Sequence, residues 1–199
     1  MTMHPLLARI RNIIADPRRE WPLIATEPGD PMRLFVGYVA VLAAIPAIAG
    51  FIGSSLVGVS VSAGRLHDPL SIGLLRAFIS YLFSFVIVYL TALAIDVMAP
   101  LFQTGRNFTN ALKLSVYSFT PVWLIGIVLM VPGLRFLSIL GLYAIRLIWT
   151  GLPPLMRTPR AKILPYALSV VVAAFGITLA MSVIQAGILT LPFRAAAVQ

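Results

Sequence analysis

The chain has 199 residues, of which 60% are hydrophobic and 11% charged, and its mean hydropathy is +0.98. A soluble domain carries about 25% charged residues, so this composition excludes an ordinary soluble globular fold. Cysteine is absent, which excludes disulfides, thiolate nucleophiles and cysteine-based metal sites.

The N-terminal stretch begins with a predicted amphipathic helix over residues 5–14. Its apolar residues recur at helical spacing, and Arg9 and Arg11 fall on the other side. Such a helix is too short to cross a bilayer, so it lies at the membrane interface or packs on the ends of the spans. Pro17 ends it, because the residue before a proline disfavours the helical region. Arg18, Arg19 and Trp21 follow and are expected to anchor at the interface.

Five long apolar segments follow residues 1–33, and they predict an all-α polytopic membrane protein. Their approximate ranges are 34–59, 72–99, 112–131, 136–152 and 164–191, and a short tail of residues 192–199 comes last. About 20 apolar residues cross a typical hydrocarbon core. The fourth segment is short, and the sequence leaves open whether it crosses completely.

The basic residues predict an orientation with the N-terminus in the cytoplasm, because most of the 15 Lys and Arg residues then face that side. Five spans place the C-terminus outside; if the fourth segment failed to cross, it would lie inside. The net charge of +9 is carried beside apolar runs, so it indicates anionic lipid rather than nucleic acid. The predicted basic cytoplasmic face comprises Arg9, Arg11, Arg18, Arg19, Arg157, Arg160 and Lys162.

Two charged residues, Asp96 and Arg146, fall within or close to the apolar segments. Both lie near the cytoplasmic ends of spans that run in the same direction, so their depths in the membrane are similar. They are expected to form an ion pair that fixes helix packing, or to reach the interface separately. The functional alternative is an ion or proton relay.

Two further patterns concern helix packing. Gly50, Ser54 and Gly58 recur every four residues in the first span, which permits close helix approach within the chain or between two copies in a homo-oligomer. Pro46 in the same span and Pro121 in the third are expected to kink their helices.

Candidates for chemistry are missing from the sequence. His4 and His67 are far apart in the sequence and are not accompanied by a cluster of carboxylates, which makes a metal site improbable. Glycine loops that cradle phosphates and nucleophile turns are also missing. We therefore expect no catalytic, cofactor or metal site, and no enzymatic activity.

Three stretches resemble the Yip family, five-span proteins whose eukaryotic branch is named for interaction with Ypt/Rab GTPases. Residues 13–21 (IIADPRREW) are similar to the family's Pro-x-x-x-Trp element and include Trp21. Residues 117–121 (YSFTP) resemble its Tyr-Ser-x-x-Pro element, with Tyr117 and Pro121 as the matching residues. Residues 140–162 resemble its Leu-Tyr helix, Gly-Leu exit and basic Pro-Lys loop.

The resemblance implies a bacterial member of the family, a five-helix bundle in the inner membrane. It implies a role in membrane organisation, as a scaffold or adaptor that binds membrane proteins or lipids, and it brings no catalytic residues. The GTPase partners of the eukaryotic branch are not carried over. The alternative function is a small transporter or channel for an ion or lipid that uses Asp96 and Arg146.

Overall fold

The computed structural model describes residues 5–61 and 64–196, with side chains described over 6–58, 66–131 and 133–190. Most of the described chain is helical, and five helical segments are long and apolar enough to cross a membrane. The predicted all-α, five-span fold is therefore confirmed. These segments are Pro31–Val57, Leu70–Phe102, Phe108–Met130, Gly133–Met156 and Arg160–Thr190.

The first span is assembled from short helical pieces. In chain order these are α3 (Pro31–Leu34), a π-helical turn (Phe35–Val39), α4 (Ala40–Phe51) and a second π-helical turn (Ile52–Val57). The span ends at Gly58, whose φ of 76° lies in the left-handed region that glycine adopts without strain. An antiparallel hairpin of β1 (Val59–Val61) and β2 (Gly64–Leu66) then leads to the second span.

The second and fifth spans are long helices. α5 (Leu70–Met98) continues into a 3-10 turn (Ala99–Phe102), and α9 (Ile163–Ala196) follows a 3-10 turn (Arg160–Lys162). α9 runs into the predicted tail, whose last three residues lie outside the described chain. α5 packs against α9, while much of the apolar surface of α9 stays exposed. We assign that surface to contact with lipid, since apolar side chains on a span can face acyl chains.

The third span breaks at the Tyr-Ser-x-x-Pro element. α6 (Phe108–Ser118) stops before Phe119, α7 (Thr120–Ile125) restarts the helix, and a 3-10 stretch (Gly126–Met130) completes the span. Pro121 lies in the first turn of α7, where its missing N–H breaks no helical hydrogen bond. The proline therefore marks a restart of the helix.

The fourth span combines an 11-residue 3-10 helix (Pro132–Leu142) with α8 (Tyr143–Met156). A 3-10 helix rises about 2.0 Å per residue and an α-helix about 1.5 Å. The 3-10 piece thus covers about 22 Å, and with α8 the segment is long enough for a hydrocarbon core of about 30 Å. The segment that is short as an apolar run reaches the length of a span because its helix extends beyond that run at both ends, over Gly133–Met156.

The N-terminal segment packs on the bundle. α1 (Pro5–Ala15) and α2 (Pro17–Thr26) meet at Asp16, whose side chain caps α2. α2 lies along α8, and α8 packs on α6, which also packs on α5. Most of the large buried side chains gather here, including Ile13, Trp21, Ile24, Leu112, Leu147 and Leu152. We call this end of the molecule, where α1 and α2 pack, the N-terminal end.

Candidate functional site

Trp21 is the anchor that holds the N-terminal segment on the spans. Its side chain is fully buried, and its indole N–H donates to Thr150 Oγ1 at 3.1 Å. The ring packs against Gly151, where an added Cβ would lie 2.8 Å from Trp21 Cε2. The prediction of an interface anchor is therefore wrong, because α2 turns this face toward α8 and the protein supplies the indole's hydrogen-bond partner.

Tyr117 lies at the centre of the candidate site. Its ring centroid is 4.8 Å from that of Tyr38 and 6.3 Å from that of Trp21, both in edge-on geometry. The Arg9 guanidinium carbon lies 5.7 Å from the Tyr117 ring centroid, which allows a cation–π contact. The structure thus brings together Trp21 of the N-terminal segment and Tyr117 of the third span, which are far apart in the sequence.

A chain of hydrogen bonds fixes the helix break beside Tyr117. Thr120 Oγ1 donates to the Tyr117 carbonyl at 2.7 Å, so it accepts from the Tyr38 hydroxyl at 2.8 Å. This arrangement satisfies a carbonyl at the end of α6, as expected for a threonine next to a proline break. The neighbouring Ser118 Oγ is buried without a partner.

Arg9 turns inward and pairs with two carboxylates. Its guanidinium Nη1 lies 2.5 Å from Glu20 Oε1, and Nη2 pairs with Glu27. Burial lowers the pKa of Arg9 because it disfavours the charged form. The electrostatic interactions with Tyr117, Glu27 and Glu20 have a larger opposite effect, so the pKa of Arg9 lies above its ordinary value. Arg9 therefore stays charged at physiological pH and ties α1 to α2.

Lys113 secures the other end of α2. Its side chain is buried, and Nζ donates to the carbonyls of Ile24 at 3.0 Å and Glu27 at 2.5 Å. Carbonyls at a helix C-terminus lack intrahelical partners, and a cation is favoured there. Lys113, which belongs to the third span, thus caps the C-terminus of α2, which lies outside the spans.

An open cleft of about 550 Å³ lies beside this cluster, between the N-terminal segment and the first and third spans. Its polar lining consists of Arg9, Glu27, Asp30, Arg33, Tyr38, Lys113 and Tyr117. Glu20, Glu27, Tyr38 and Lys113 belong to the site although the sequence patterns did not predict them. One signal was present, because four of the six acidic residues lie between positions 16 and 30.

The other predicted basic residues are placed differently from Arg9. Lys162 is half-buried, and the exposed members are Arg11, Arg18, Arg19, Arg157 and Arg160. Arg19 makes only an exposed contact of 3.4 Å with Asp16, and such pairs contribute little. The structure therefore removes Arg9 from the predicted face, because its charge is neutralised inside the molecule.

Asp96 and Arg146 are not brought into an ion pair. Among the described residues, the ion pairs of 4 Å or less involve Arg9, Arg19 and Arg76 as cations. Arg146 is exposed and stacks over Tyr143, with its guanidinium carbon 5.3 Å from the ring centroid. Asp96 Oδ1 is buried without a hydrogen-bond partner. Of the two alternatives, the described structure does not form the pair, because α5 packs mainly on α4, α6 and α9 rather than on α8.

Gly50, Ser54 and Gly58 do not form one packing face. A Cβ added at Gly50 would meet nothing within 4 Å, while Ser54 is buried within the chain. The π-helical turn over residues 52–57 shifts the helical phase, and Gly58 ends the helix. A close approach between helices occurs instead at Gly53, where an added Cβ would lie 1.9 Å from the Leu129 carbonyl oxygen. Self-association through the predicted face stays a prediction.

Comparison with known proteins adds one finding to this geometry. A family model described as the Yip1 domain matches residues 11–181, a range that includes Trp21, Tyr117 and Pro121. Searches of curated proteins and of solved structures gave no significant match. The matched range contains most of the chain, from α1 into α9, so this multi-pass membrane protein belongs to the Yip1 domain family.

Proposed function

We propose that the chain is a non-enzymatic scaffold of the bacterial cytoplasmic membrane that binds acidic segments of other membrane proteins. Its N-terminal end faces the cytoplasm and its C-terminus lies outside. The contact surface is the predicted basic cytoplasmic face without Arg9, and we call it the basic face. It consists of Arg11, Arg18, Arg19, Arg157, Arg160 and Lys162.

One observation supports the proposal. The carboxylates at the N-terminal end are used internally, since Glu20 and Glu27 pair with Arg9 and the Asp30 side chain caps α3. Apart from the exposed Asp16 contact to Arg19, no described carboxylate pairs with the basic face. The face therefore presents net positive charge, which favours an acidic partner and speeds its encounter.

The docked N-terminal segment also makes the face stiff enough for specific binding. Arg18 and Arg19 lie on α2, which packs along α8, and α8 leads directly to Arg157 and Arg160. Trp21 and Lys113 hold α2 in place. A rigid presentation lowers the entropy lost when a partner binds.

Transport is not proposed as a second function. That alternative needed Asp96 and Arg146 as a common polar centre, and the described structure does not bring them together.

The test is purification of the full chain from its own membranes, with protein and lipid mass spectrometry of what accompanies it. The variant Arg157→Gln/Arg160→Gln/Lys162→Gln should lose a protein partner that the parent retains in stoichiometric amount. The matched control Arg33→Gln/Arg106→Gln/Arg146→Gln removes the same charge from exposed arginines outside the face and should retain it.

Loss of the partner in both triple variants would show a general effect of charge and contradict a specific face. Retention in both would contradict any role of residues 157–162. If only anionic lipid were recovered with the parent, the partner of the basic face would be lipid and not a protein.

A further inference from the structure

A second polar cavity lies at the opposite end of the bundle and is lined by residues of the first four spans. Its volume is about 180 Å³, several times the roughly 30 Å³ that a water molecule occupies in the liquid. The polar lining consists of Ser54 from the first span, Arg76 and Ser80 from the second, and Arg135 from the fourth. Its lining residues include no carboxylate.

Two polar groups at this cavity lack a hydrogen-bond partner although both are buried. They are the Arg76 Nε–H and the Ser54 hydroxyl. A buried donor without a hydrogen bond costs about 1–3 kcal/mol. Such a group in a native protein therefore points to a bound water, ion or ligand. Arg135 adds a second guanidinium, which no described carboxylate pairs.

Neighbouring groups hold Arg76 and Ser80 in position. Asp68 Oδ2 binds Arg76 Nη1 at 2.8 Å, and Asp68 does not line the cavity. Gln185 on α9 donates to Ser80 Oγ at 2.6 Å and to the Arg76 carbonyl at 2.9 Å. Because Ser80 Oγ accepts from Gln185, its own proton is available to another acceptor.

We propose that this cavity binds a phosphate group, supplied by the headgroup of a membrane phospholipid. Guanidinium groups only donate hydrogen bonds, and the hydroxyls of Ser54 and Ser80 have protons to give, so the site requires an acceptor-rich anion. Arginine binds phosphate through geometrically matched paired donors. Arg76 lies six residues after the first residue of α5, about 9 Å along the helix, at a depth where lipid phosphates can be reached.

The small residues of the first span gain a role from this site. Gly50 lines the cavity, and a side chain there would extend into empty space. The cavity therefore exists partly because position 50 lacks a side chain. Gly50→Val should fill the site without touching its charges.

The experiment uses the full chain in mild detergent, titrated with short-chain phosphatidic acid and followed by native mass spectrometry. Diacylglycerol with the same acyl chains is the phosphate-free control. Phosphatidic acid should bind and diacylglycerol should not. Arg135→Gln should weaken binding about tenfold, the size of one lost charge-assisted hydrogen bond, and Gly50→Val should abolish it. Arg146→Gln, at the N-terminal end, should bind like the parent.

Equal binding of phosphatidic acid by the parent, Arg135→Gln and Gly50→Val would overturn the proposal, as would equal binding of diacylglycerol. Inorganic phosphate, titrated alone, distinguishes the source: binding that depends on Arg135 and Gly50 would keep the phosphate site but overturn the assignment to lipid. If thermal unfolding showed that Gly50→Val is not folded, the binding measured for Arg135→Gln would decide the test. This site is independent of the basic face, so either can fail alone.

Discussion

The indole N–H of Trp21 donates to the Thr150 hydroxyl, and this bond ties the N-terminal segment to the fourth span. Thr150 Oγ1 also lies 2.8 Å from the Arg146 carbonyl and 3.2 Å from the Leu147 carbonyl. Thr150 can therefore donate within its own helix while it accepts from Trp21. The segment before the first span is thus held by ring packing and by a polar contact.

Trp21→Ala should lower the free energy of unfolding by about 3–5 kcal/mol, because it removes a fully buried aromatic side chain. Trp21→Phe should cost less, since the ring remains and Thr150 keeps its carbonyl partners. Thermal unfolding in detergent is the measurement. The matched control is Trp149→Ala, whose ring is 41% exposed. Similar losses at positions 21 and 149 would contradict the packing role of Trp21.

Gly151→Ala should destabilise the docked segment by about 1–3 kcal/mol through overpacking. An added Cβ would lie 2.5 Å from Leu114 Cδ1 and 2.8 Å from Trp21 Cε2, and both side chains are buried. Gly176→Ala is the control, because nothing lies within 4 Å of its added Cβ. Alanine should be neutral or slightly stabilising there, as in helices generally. If Gly151→Ala and Gly176→Ala lowered the unfolding midpoint equally, the result would argue against a tight contact at Gly151.

Lys113→Met should loosen the end of α2, because the carbonyls of Ile24 and Glu27 lose their donor. Leaving them unsatisfied costs about 1–3 kcal/mol each if water cannot replace the lysine. Hydrogen exchange of residues 17–26 should become faster while α9 changes little. Lys162→Met, at a half-buried lysine whose side chain has no described hydrogen bond, should leave the exchange of α2 unchanged. Unchanged exchange in Lys113→Met would refute the capping role.

Exchanging the charges at positions 96 and 146 should not restore folded yield. Arg146 is exposed, so Arg146→Gln should change stability by about 0.5 kcal/mol or less, whereas Asp96→Arg should reduce the yield because Asp96 Oδ1 is buried. The double variant Asp96→Arg/Arg146→Asp should remain as poor as Asp96→Arg. Recovery of yield in the double variant, measured by size-exclusion chromatography, would demonstrate pairing in the membrane.

Single cysteines at positions 105, 133 and 160 should reveal the direction of the third and fourth spans. Gly105 and Gly133 are exposed with open space around an added Cβ, and Arg160 is exposed. The chain has no cysteine of its own. An impermeant maleimide should label Gly105→Cys and Arg160→Cys from the cytoplasmic side and Gly133→Cys from the other. Labelling of positions 133 and 160 from one side would mean that the fourth segment does not cross.

The sequence by itself determined the number of spans and the break in the third one. Uninterrupted apolar runs are what the hydrocarbon core requires of a spanning helix, and a proline acts locally on its own turn. The full extent of the fourth span depended on how far its helix continues past the apolar run. A π-helical turn in the first span separates Gly50 from Ser54 and Gly58, and periodicity does not reveal such a turn.

Only the tertiary structure decided which charges neutralise each other. Arg9 lies on α1 with the outward Arg11, yet it pairs with Glu20 and Glu27 because α1 packs against α2. Asp96 and Arg146 match in predicted depth, but depth along the membrane normal does not specify which helices are neighbours. An ion pair requires atoms within about 4 Å, and only the packing of side chains from distant segments sets that distance.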